Sequence, residues 1–257
     1  MQEWTFIIDE EPHHGFENMA IDEALLDYHI LNDTLPILRI YKWIRPTLSI
    51  GRNQNTSEIN FEKCKEFEID VVRRPTGGKA VLHDGEITYS FVASKKHGFS
   101  EKILESYMQI SQALVSGLKD INKDLDLSLG KIKTKEYMKN SLCFASSTIA
   151  DINYLGLKIV GSAQLRRETS LLQHGSILIN QDFDKLPKIL NNCNRKSNQV
   201  NLIDILSYIP EYEKTKNCII KGFEETFGVK LKKRYLIDQE RNLAESYFSK
   251  YKEFYHH

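Results

Sequence analysis

Three segments of the chain carry side chains that could take part in a reaction. The first, residues 72–84 (VRRPTGGKAVLHD), places two arginines before a Gly-Gly turn and a His-Asp pair after it. Glycines allow a ligand to approach backbone N–H groups closely, and arginine or lysine can hold negative charge beside them. The spacing matches neither a Walker A loop nor the GxGxxG fingerprint. On spacing alone, a hairpin turn flanked by solvated arginines is the simpler interpretation.

The second segment, residues 156–164 (GLKIVGSAQ), contains Lys158 in an apolar strand that ends in small residues. Such a lysine commonly points to water, but in a cleft its ammonium could meet a carbonyl, a phosphate or a thiolate. A short run further on, residues 173–176 (QHGS), puts His174 at the start of another strand. A structural and a functional role fit His174 equally well.

Cys143 is the candidate nucleophile. A free cysteine is most often a small buried hydrophobe, and a reactive one needs its pKa lowered by a cation or by backbone dipoles. Lys158 follows Cys143 by 15 residues, and a hairpin between them could bring the ammonium back to the sulfur. Spacing alone does not establish that contact. The other cysteines (Cys64, Cys193 and Cys218) lack basic and Gly-rich neighbours and are interpreted as structural.

Composition excludes several classes of protein. The 257 residues include 35 basic and 35 acidic side chains, so the net charge is zero and a dedicated binder of nucleic acid or of anionic membranes is not expected. Residues 230–234 are one candidate for a local basic patch, but the solvent-exposed end of a helix or strand explains this run of basic residues more simply. The sequence contains no 18-residue apolar stretch, signal peptide or CxxC pair. These features predict a soluble cytoplasmic protein without a metal site.

Hydrophobic periodicity predicts the elements that must position these residues. The expected strands are 5–9, 37–43, 48–50, 70–74, 79–82, 87–93, 148–154, 157–163 and 175–179, and the expected helices are 17–31, a long one capped by Ser100, one closed by Gly228 and a last one over 243–254. Strands dominate before residue 180 and helices after it, which is typical of an α+β fold with a mixed or antiparallel sheet. We therefore predict a catalytic core over residues 1–190. Residues 191–257 are expected to form a helical extension packed on the same domain.

Six segments, taken in their order and spacing, resemble the biotin/lipoate protein ligase superfamily in its branch of lipoate–protein ligases and octanoyltransferases. They are residues 18–26 (NMAIDEALL), 39–43 (RIYKW), 46–51 (PTLSIG), 73–84, 156–164 and 173–176. The resemblance covers most of the chain. It implies a ligase-like catalytic domain with a mixed or antiparallel sheet flanked by helices.

Within that superfamily, the glycine loop and the cysteine look like those of LipM-type octanoyltransferases. The glycine loop of the ligases typically has the sequence RRxSGGGAVxHD, whereas Lys79 stands in place of the third glycine in this chain. The resemblance implies that octanoyl moves from acyl carrier protein to a lysine through a thioester on Cys143, with Lys158 lowering the pKa of the thiol. After Cys143 the sequence reads FASST, where these transferases usually carry Asp-Ala-Pro-Ser.

The same resemblance implies the rest of the site and the partners. Substrate-binding residues are expected at Arg73, Gly77, Gly78, Lys79, Ala80, His83, Gly161, Ser162, Ala163 and His174. Backbone N–H groups of the glycine loop and of residues 161–163 would surround the thioester carbonyl. The expected donor is octanoyl-acyl carrier protein, and the expected acceptors are lipoyl-domain proteins such as the glycine-cleavage H protein and dehydrogenase E2 lipoyl domains. No cofactor is implied.

Three alternatives stay open at this stage. An ATP-dependent lipoate–protein ligase acting through lipoyl-AMP would need ATP and Mg, and Cys143 would then be incidental. A LipL-type amidotransferase also uses a cysteine but lacks the RRPTGG form of the loop. A non-catalytic scaffold has no need for the arginines, glycines and lysine. Trapping an acyl adduct separates the transferase from the scaffold, and ATP–pyrophosphate exchange identifies a ligase.

Overall fold

Residues 2–127, 151–191 and 198–254 are described by the computed structural model. Cys143 and Cys193 lie outside these residues, and so do residues 148–150 of the strand expected over 148–154. The strands are β1 (Gln2–Ile7), β2 (Ile37–Tyr41), β3 (Thr47–Ile50), β4 (Asp70–Arg73), β5 (Val81–His83), β6 (Glu86–Ser94), β7 (Leu125–Leu127), β8 (Ile152–Tyr154), β9 (Leu157–Arg167), β10 (Ser170–Leu178) and β11 (Val229–Arg234). The helices are α1 (Gly15–Asn32), α2 (Phe61–Glu66), α3 (Ile103–Leu118), α4 (Lys185–Lys188), α5 (Leu202–Leu206), α6 (Tyr212–Phe227), α7 (Asp238–Ser246) and α8 (Phe248–Tyr251).

The larger sheet has the strand order β11-β1-β2-β6-β10-β9-β8-β7. β1 pairs in parallel with both β2 and β11, and the other neighbours are antiparallel, so the sheet is mixed. Its central strands β6 and β10 are buried on both faces, which explains the β-branched and aromatic run of β6. The α+β prediction is confirmed.

Helices cover both faces of this sheet. Phe91 of β6 belongs to the apolar cluster that α3 and α6 build, whereas its neighbour Val92 belongs to the cluster under α1, because successive side chains of a strand point to opposite faces. α3 and α6 approach very closely at two glycines. A Cβ at Gly117 would lie 2.1 Å from the Cys218 carbonyl oxygen, and one at Gly222 would lie 2.3 Å from the Ala113 oxygen.

A second sheet of three strands has the order β4-β3-β5. β3 lies between the other two, parallel to β4 and antiparallel to β5. Residues 74–80 therefore cross over β3 rather than closing a hairpin, so the interpretation of the Gly-Gly segment as a hairpin turn was wrong. The crossing is tight, because a Cβ at Gly51 would lie 2.0 Å from the Gly78 carbonyl oxygen.

Two further elements differ from the sequence prediction. The segment after residue 190 is not wholly helical, because β11 joins the main sheet beside β1 in register from Gln2↔Val229 to Ile7↔Arg234. Helix α3 begins at Ile103 and has Lys102 at its N-cap position, not Ser100. The Ser100 hydroxyl instead accepts a hydrogen bond from the Lys102 backbone N–H at 3.2 Å. In the part of the chain that the structure describes, none of the helices is both long and apolar enough to cross a membrane.

Candidate active site

A cleft opens between the small sheet and the central strands of the large one. Its lining residues are Met19, Tyr41, Trp43, Ser49, Arg74, Val81, His83, Thr88, Gly161, Ser162, Ala163, His174, Gly175 and Ser176. Five residues predicted to bind substrate are among them: His83, Gly161, Ser162, Ala163 and His174. Sequence segments that are nearly 100 residues apart therefore meet at one place.

Small residues form the floor of the cleft where β9 runs antiparallel to β10. Ser162 pairs with Gly175 across the two strands. The Ser162 hydroxyl forms a 2.7 Å hydrogen bond with the buried Tyr89 hydroxyl, and its carbonyl accepts one from Tyr107 at 3.0 Å. Burial raises the pKa of Tyr89 to about 12, so this phenol stays neutral near pH 7. Hydrogen bonds thus hold the floor in place from both sides.

Gly175 is required by this close packing. A Cβ there would lie 2.5 Å from the Ser162 hydroxyl oxygen and 2.6 Å from the Gly161 carbonyl oxygen. We expect Gly175→Ala to lower the free energy of unfolding by about 1–3 kcal/mol, since the added methyl overpacks the site. Gly77→Ala is the matched control, because a Cβ there meets nothing within 4 Å. Urea unfolding of both variants checks the prediction, and equal stabilities would contradict it.

Asp22 of α1 connects the helix to the cleft wall. The fully buried carboxylate accepts hydrogen bonds from Arg39 at 2.8 Å and from Tyr41 at 2.9 Å, and it lies 2.9 Å from Nδ1 of His174. Burial alone would raise the pKa of Asp22, but the hydrogen bond to His174 and the charge of Arg39 lower it below its ordinary value. Asp22 is therefore an anion that holds three side chains.

His174 links Asp22 to the glycine loop. Its Nε2 atom lies 2.6 Å from the Thr76 hydroxyl, which also accepts a hydrogen bond from Arg74 at 3.2 Å. Burial lowers the pKa of His174 more than the nearby Asp22 raises it. Arg74 donates further hydrogen bonds to the carbonyls of Gly77 and Lys79, both at 2.7 Å. The glycine loop is thereby fixed from inside the cleft. Gly77 and Lys79, which were expected to bind substrate, contribute their main-chain carbonyls to this hydrogen-bond network.

Arg73 and Arg74 have different places in the structure. Arg74 is buried and lines the cleft, whereas Arg73 hydrogen-bonds three carbonyl oxygens of the loop after β3 (residues 51, 52 and 54) and the carboxylate of Glu253. Arg73 was expected to bind substrate, but it does not line the cleft. Gly78 and Ala80 do not line it either, since Gly78 packs against Gly51 and Ala80 is buried in the small apolar core.

His83 sits in a polar wall on the opposite side of the cleft. Its Nδ1 atom lies 2.5 Å from Glu86 and its Nε2 atom 2.7 Å from the Ser49 hydroxyl, and its ring stacks on Trp43 with centroids 4.0 Å apart. Glu86 also accepts hydrogen bonds from the hydroxyls of Thr88 and Ser176. The sequence interpretation missed Glu86 and Trp43 as site residues. The alternation of polar side chains in β6 was a signal that could have found Glu86.

Lys158 is buried, although it lies in a strand where a lysine commonly points to water. Its side chain is 2% exposed and its Nζ atom lies 3.0 Å from a carboxylate oxygen of Asp151, which is itself fully buried. It precedes the cleft-lining residue Gly161 by three positions in β9. The alternative of a solvated strand charge is therefore excluded.

A metal centre has no candidate ligands within residues 2–127, 151–191 and 198–254. No group of three or more His, Cys, Asp or Glu side chains there is placed to hold an ion. The chemistry that the described cleft offers is hydrogen bonding from fixed donors over a closed floor of small residues. The buried Lys158 ammonium lies on the same strand, three residues before that floor.

Comparison with known proteins places these features in one family. The model of the lipoyl protein ligase A/B catalytic domain matches residues 14–224. The chain is 40% identical to an octanoyltransferase LipM from Carboxydothermus hydrogenoformans, over 95% of this chain and 94% of that protein. It is 34% identical to octanoyltransferase LipM from Bacillus subtilis, over 96% and 95% of the two chains.

Solved structures agree with this assignment. A crystal structure of lipoate–protein ligase A with bound ATP superposes with a TM-score of 0.81 at 25% identity, covering 97% of this chain and 95% of that one. A bipartite lipoate protein ligase from Thermoplasma acidophilum shares the fold, with a TM-score of 0.76 at 24% identity over 97% of this chain and 93% of that one. The cleft, the glycine loop and these matches together show that the chain belongs to the lipoyl protein ligase A/B catalytic domain family.

Proposed function

We propose that the protein is an octanoyltransferase of lipoate biosynthesis, which moves an octanoyl group from acyl carrier protein to a lysine of a lipoyl domain. The observation that carries this proposal is the similarity to relatives named octanoyltransferase LipM along nearly the full length of both chains. The ligase alternative is not favoured by these relatives. The reaction requires no ATP, because the donor is already a thioester.

Two acyl transfers make up the proposed reaction. The Cys143 thiolate attacks the octanoyl carbonyl and a new C–S bond forms. The C–S bond to the carrier's arm breaks, and the carrier's sulfur leaves as a thiolate that takes up the proton given up by the Cys143 thiol. The acceptor lysine amine then attacks the acyl-enzyme, forms a C–N bond and releases Cys143, to which the amine's proton passes. The first step exchanges one thioester for another, and the second gives an amide and is downhill.

The described residues support three requirements of this chemistry. A thiolate needs a cation, and Lys158 is a buried ammonium held in one place by Asp151. The oxyanion that develops on the carbonyl needs preorganised donors, and we assign backbone N–H groups of residues 161–163 and of the glycine loop to that task. The acyl chain needs a cleft that excludes water, and we assign this task to the cleft above the floor of small residues.

The proposed partners follow from the same reaction. Octanoyl-acyl carrier protein is the donor, the glycine-cleavage H protein and dehydrogenase E2 lipoyl domains are the acceptors, and no cofactor takes part. We assign the reaction to the cytoplasm, where acyl carrier protein is found.

The test is transfer without ATP. The protein is incubated with octanoyl-acyl carrier protein and a lipoyl domain, and the intact mass of the lipoyl domain is measured. We expect an added octanoyl group. If octanoylation instead needs free octanoate, ATP and Mg²⁺, the protein is a ligase and the proposal is wrong.

A further inference from the structure

Two loops cross at the edge of the small sheet, and each carries a basic residue at the crossing. The Arg52 backbone N–H donates a 2.8 Å hydrogen bond to the Thr76 carbonyl. One loop is held by Arg73, whose guanidinium hydrogen-bonds the Arg52 carbonyl, and the other by Arg74, which hydrogen-bonds the Lys79 carbonyl. The main chains of Arg52 and Lys79 therefore belong to one rigid crossing.

Arg52 and Lys79, which we call the loop cations, keep their charge unneutralised among the described residues. Arg52 is exposed and Lys79 is half-buried. Neither side chain forms an ion pair with any residue in the described ranges, and the carboxylate of Glu253 beside this crossing is already paired with Arg73. The crossing therefore presents positive charge to solvent in a protein whose net charge is zero.

The basic run at residues 230–234 differs from the loop cations in this respect. Lys230 pairs with Glu224 at 3.0 Å, and Arg234 pairs with Glu240 at 2.6 Å. These carboxylates neutralise much of the run. It also forms the edge of the large sheet, where four strands separate it from β9. Lys79, in contrast, lies on the loop that the cleft-lining Arg74 holds, and Arg52 lies on the loop that crosses it.

We propose that the loop cations are the docking surface for the acidic acyl carrier protein that donates the octanoyl group. This inference rests on the proposed function. Unpaired cations at a fixed crossing attract an acidic partner without first breaking internal ion pairs, and such complementarity acts mainly on encounter and orientation. Because Arg74 links the crossing to the cleft, a carrier bound there has its thioester arm close to the cleft entrance. Lys79 occupies the position of the third glycine in the ligase form of the loop, so it would serve recognition of a protein donor.

The test compares an octanoyl donor that is attached to a carrier protein with octanoyl donors that lack the protein. Arg52→Glu, Lys79→Glu and the double variant are assayed with octanoyl-acyl carrier protein, octanoyl-phosphopantetheine and octanoyl-pantetheine. We expect the ratio of kcat/KM for the carrier-bound donor to that for octanoyl-pantetheine to fall about tenfold in the double variant, and the fall to shrink at high salt. Lys214→Glu is the control, because Lys214 is exposed on α6 and forms no ion pair with a described residue. Its ratio should stay at the wild-type value.

Three results would overturn the docking proposal. An equal loss for all donors would mean that the loop cations act inside the cleft. A loss for octanoyl-phosphopantetheine as large as that for the carrier would mean that they bind only the phosphate. A raised KM for the lipoyl domain with an unchanged donor ratio would assign the surface to the acceptor.

Direct binding separates this proposal from the proposed function. Fluorescence anisotropy of labelled, non-acylated holo-acyl carrier protein needs no turnover. Weaker binding by the double variant than by Lys214→Glu supports the docking surface, whether or not the wild type transfers an octanoyl group. Failure of the wild type to transfer it would refute only the transferase proposal. Equal binding by the two variants overturns the docking surface whatever the reaction is.

Discussion

Replacing Cys143 by Ala should abolish the octanoyl adduct and reduce transfer at least roughly a thousandfold, because the proposed covalent intermediate forms on the Cys143 sulfur. The expected observation is an added octanoyl mass on the wild type, and none on Cys143→Ala, after incubation with octanoyl-acyl carrier protein in the absence of ATP. The far-UV circular dichroism of the variant should equal that of the wild type.

Cys218→Ala is the matched control for this experiment. Cys218 is half-buried on α6, and burial raises the pKa of its thiol, which makes it a poor nucleophile. This variant should keep both the adduct and the transfer rate. Normal turnover by Cys143→Ala would exclude covalent catalysis through Cys143, and an adduct that disappears in Cys218→Ala would identify a different nucleophile.

Replacing Asp22 by Ala should destabilise the fold by about 3–5 kcal/mol, the usual effect of removing one partner from a buried ion pair. The side chain of Arg39 is fully buried, and the change leaves its guanidinium with Asp9 as its remaining carboxylate partner. His174 loses the group that orients it at the same time. Guanidinium unfolding monitored by tryptophan fluorescence gives the free energy of unfolding.

Two controls separate charge from packing at this position. Asp22→Asn keeps the shape and one carbonyl acceptor, and it should lose less stability than Asp22→Ala. Glu225→Ala removes an exposed carboxylate that pairs with Lys221 on the surface of α6, and its stability should stay close to the wild-type value. If Asp22→Ala were as stable as Glu225→Ala, the buried network would have no part in holding the fold.

Acid should reveal the same network. Asp9 accepts a hydrogen bond from Arg39 at 2.6 Å, and although burial alone would raise its pKa, the charges of Arg39 and His13 lower it to about 2. A carboxyl group with a lowered folded-state pKa stabilises the fold above its unfolded pKa. That contribution is lost as pH falls from about 4 towards 2.

Local patterns in the sequence predicted the main elements with useful accuracy. The apolar spacing of residues 21, 25 and 28 predicted α1 over 17–31, and the structure has it over Gly15–Asn32. The β-branched and aromatic run predicted a strand over 87–93, and β6 spans Glu86–Ser94. These predictions succeed because the apolar residues that an element buries recur with the period of a helix or a strand, and that period can be recognised in a short stretch of sequence.

Features that depend on contacts between distant segments could not be derived in this way. The position of β3 between β4 and β5 depends on which strands pair, and a run of residues does not encode its partner. Arg73 and Arg74 are adjacent and chemically alike, so choosing the one that lines the cleft requires knowing which face of β4 is covered. β11 was missed because only Val229 and Leu231 of its residues are buried apolar side chains, between lysines.

The pairing of β11 with β1 has a consequence for how the chain is synthesised. Gln2 leaves the ribosome long before its partner Val229, which follows it by 227 residues in the chain. Until then, one edge of β1 has unpaired backbone groups beside the apolar side chains of Trp4 and Phe6, and such edges promote aggregation. Nascent chains stalled before Val229 should therefore be the ones that chaperones and proteases engage. A late, lysine-rich strand closes this edge, and its charged side chains discourage a further chain from pairing with it.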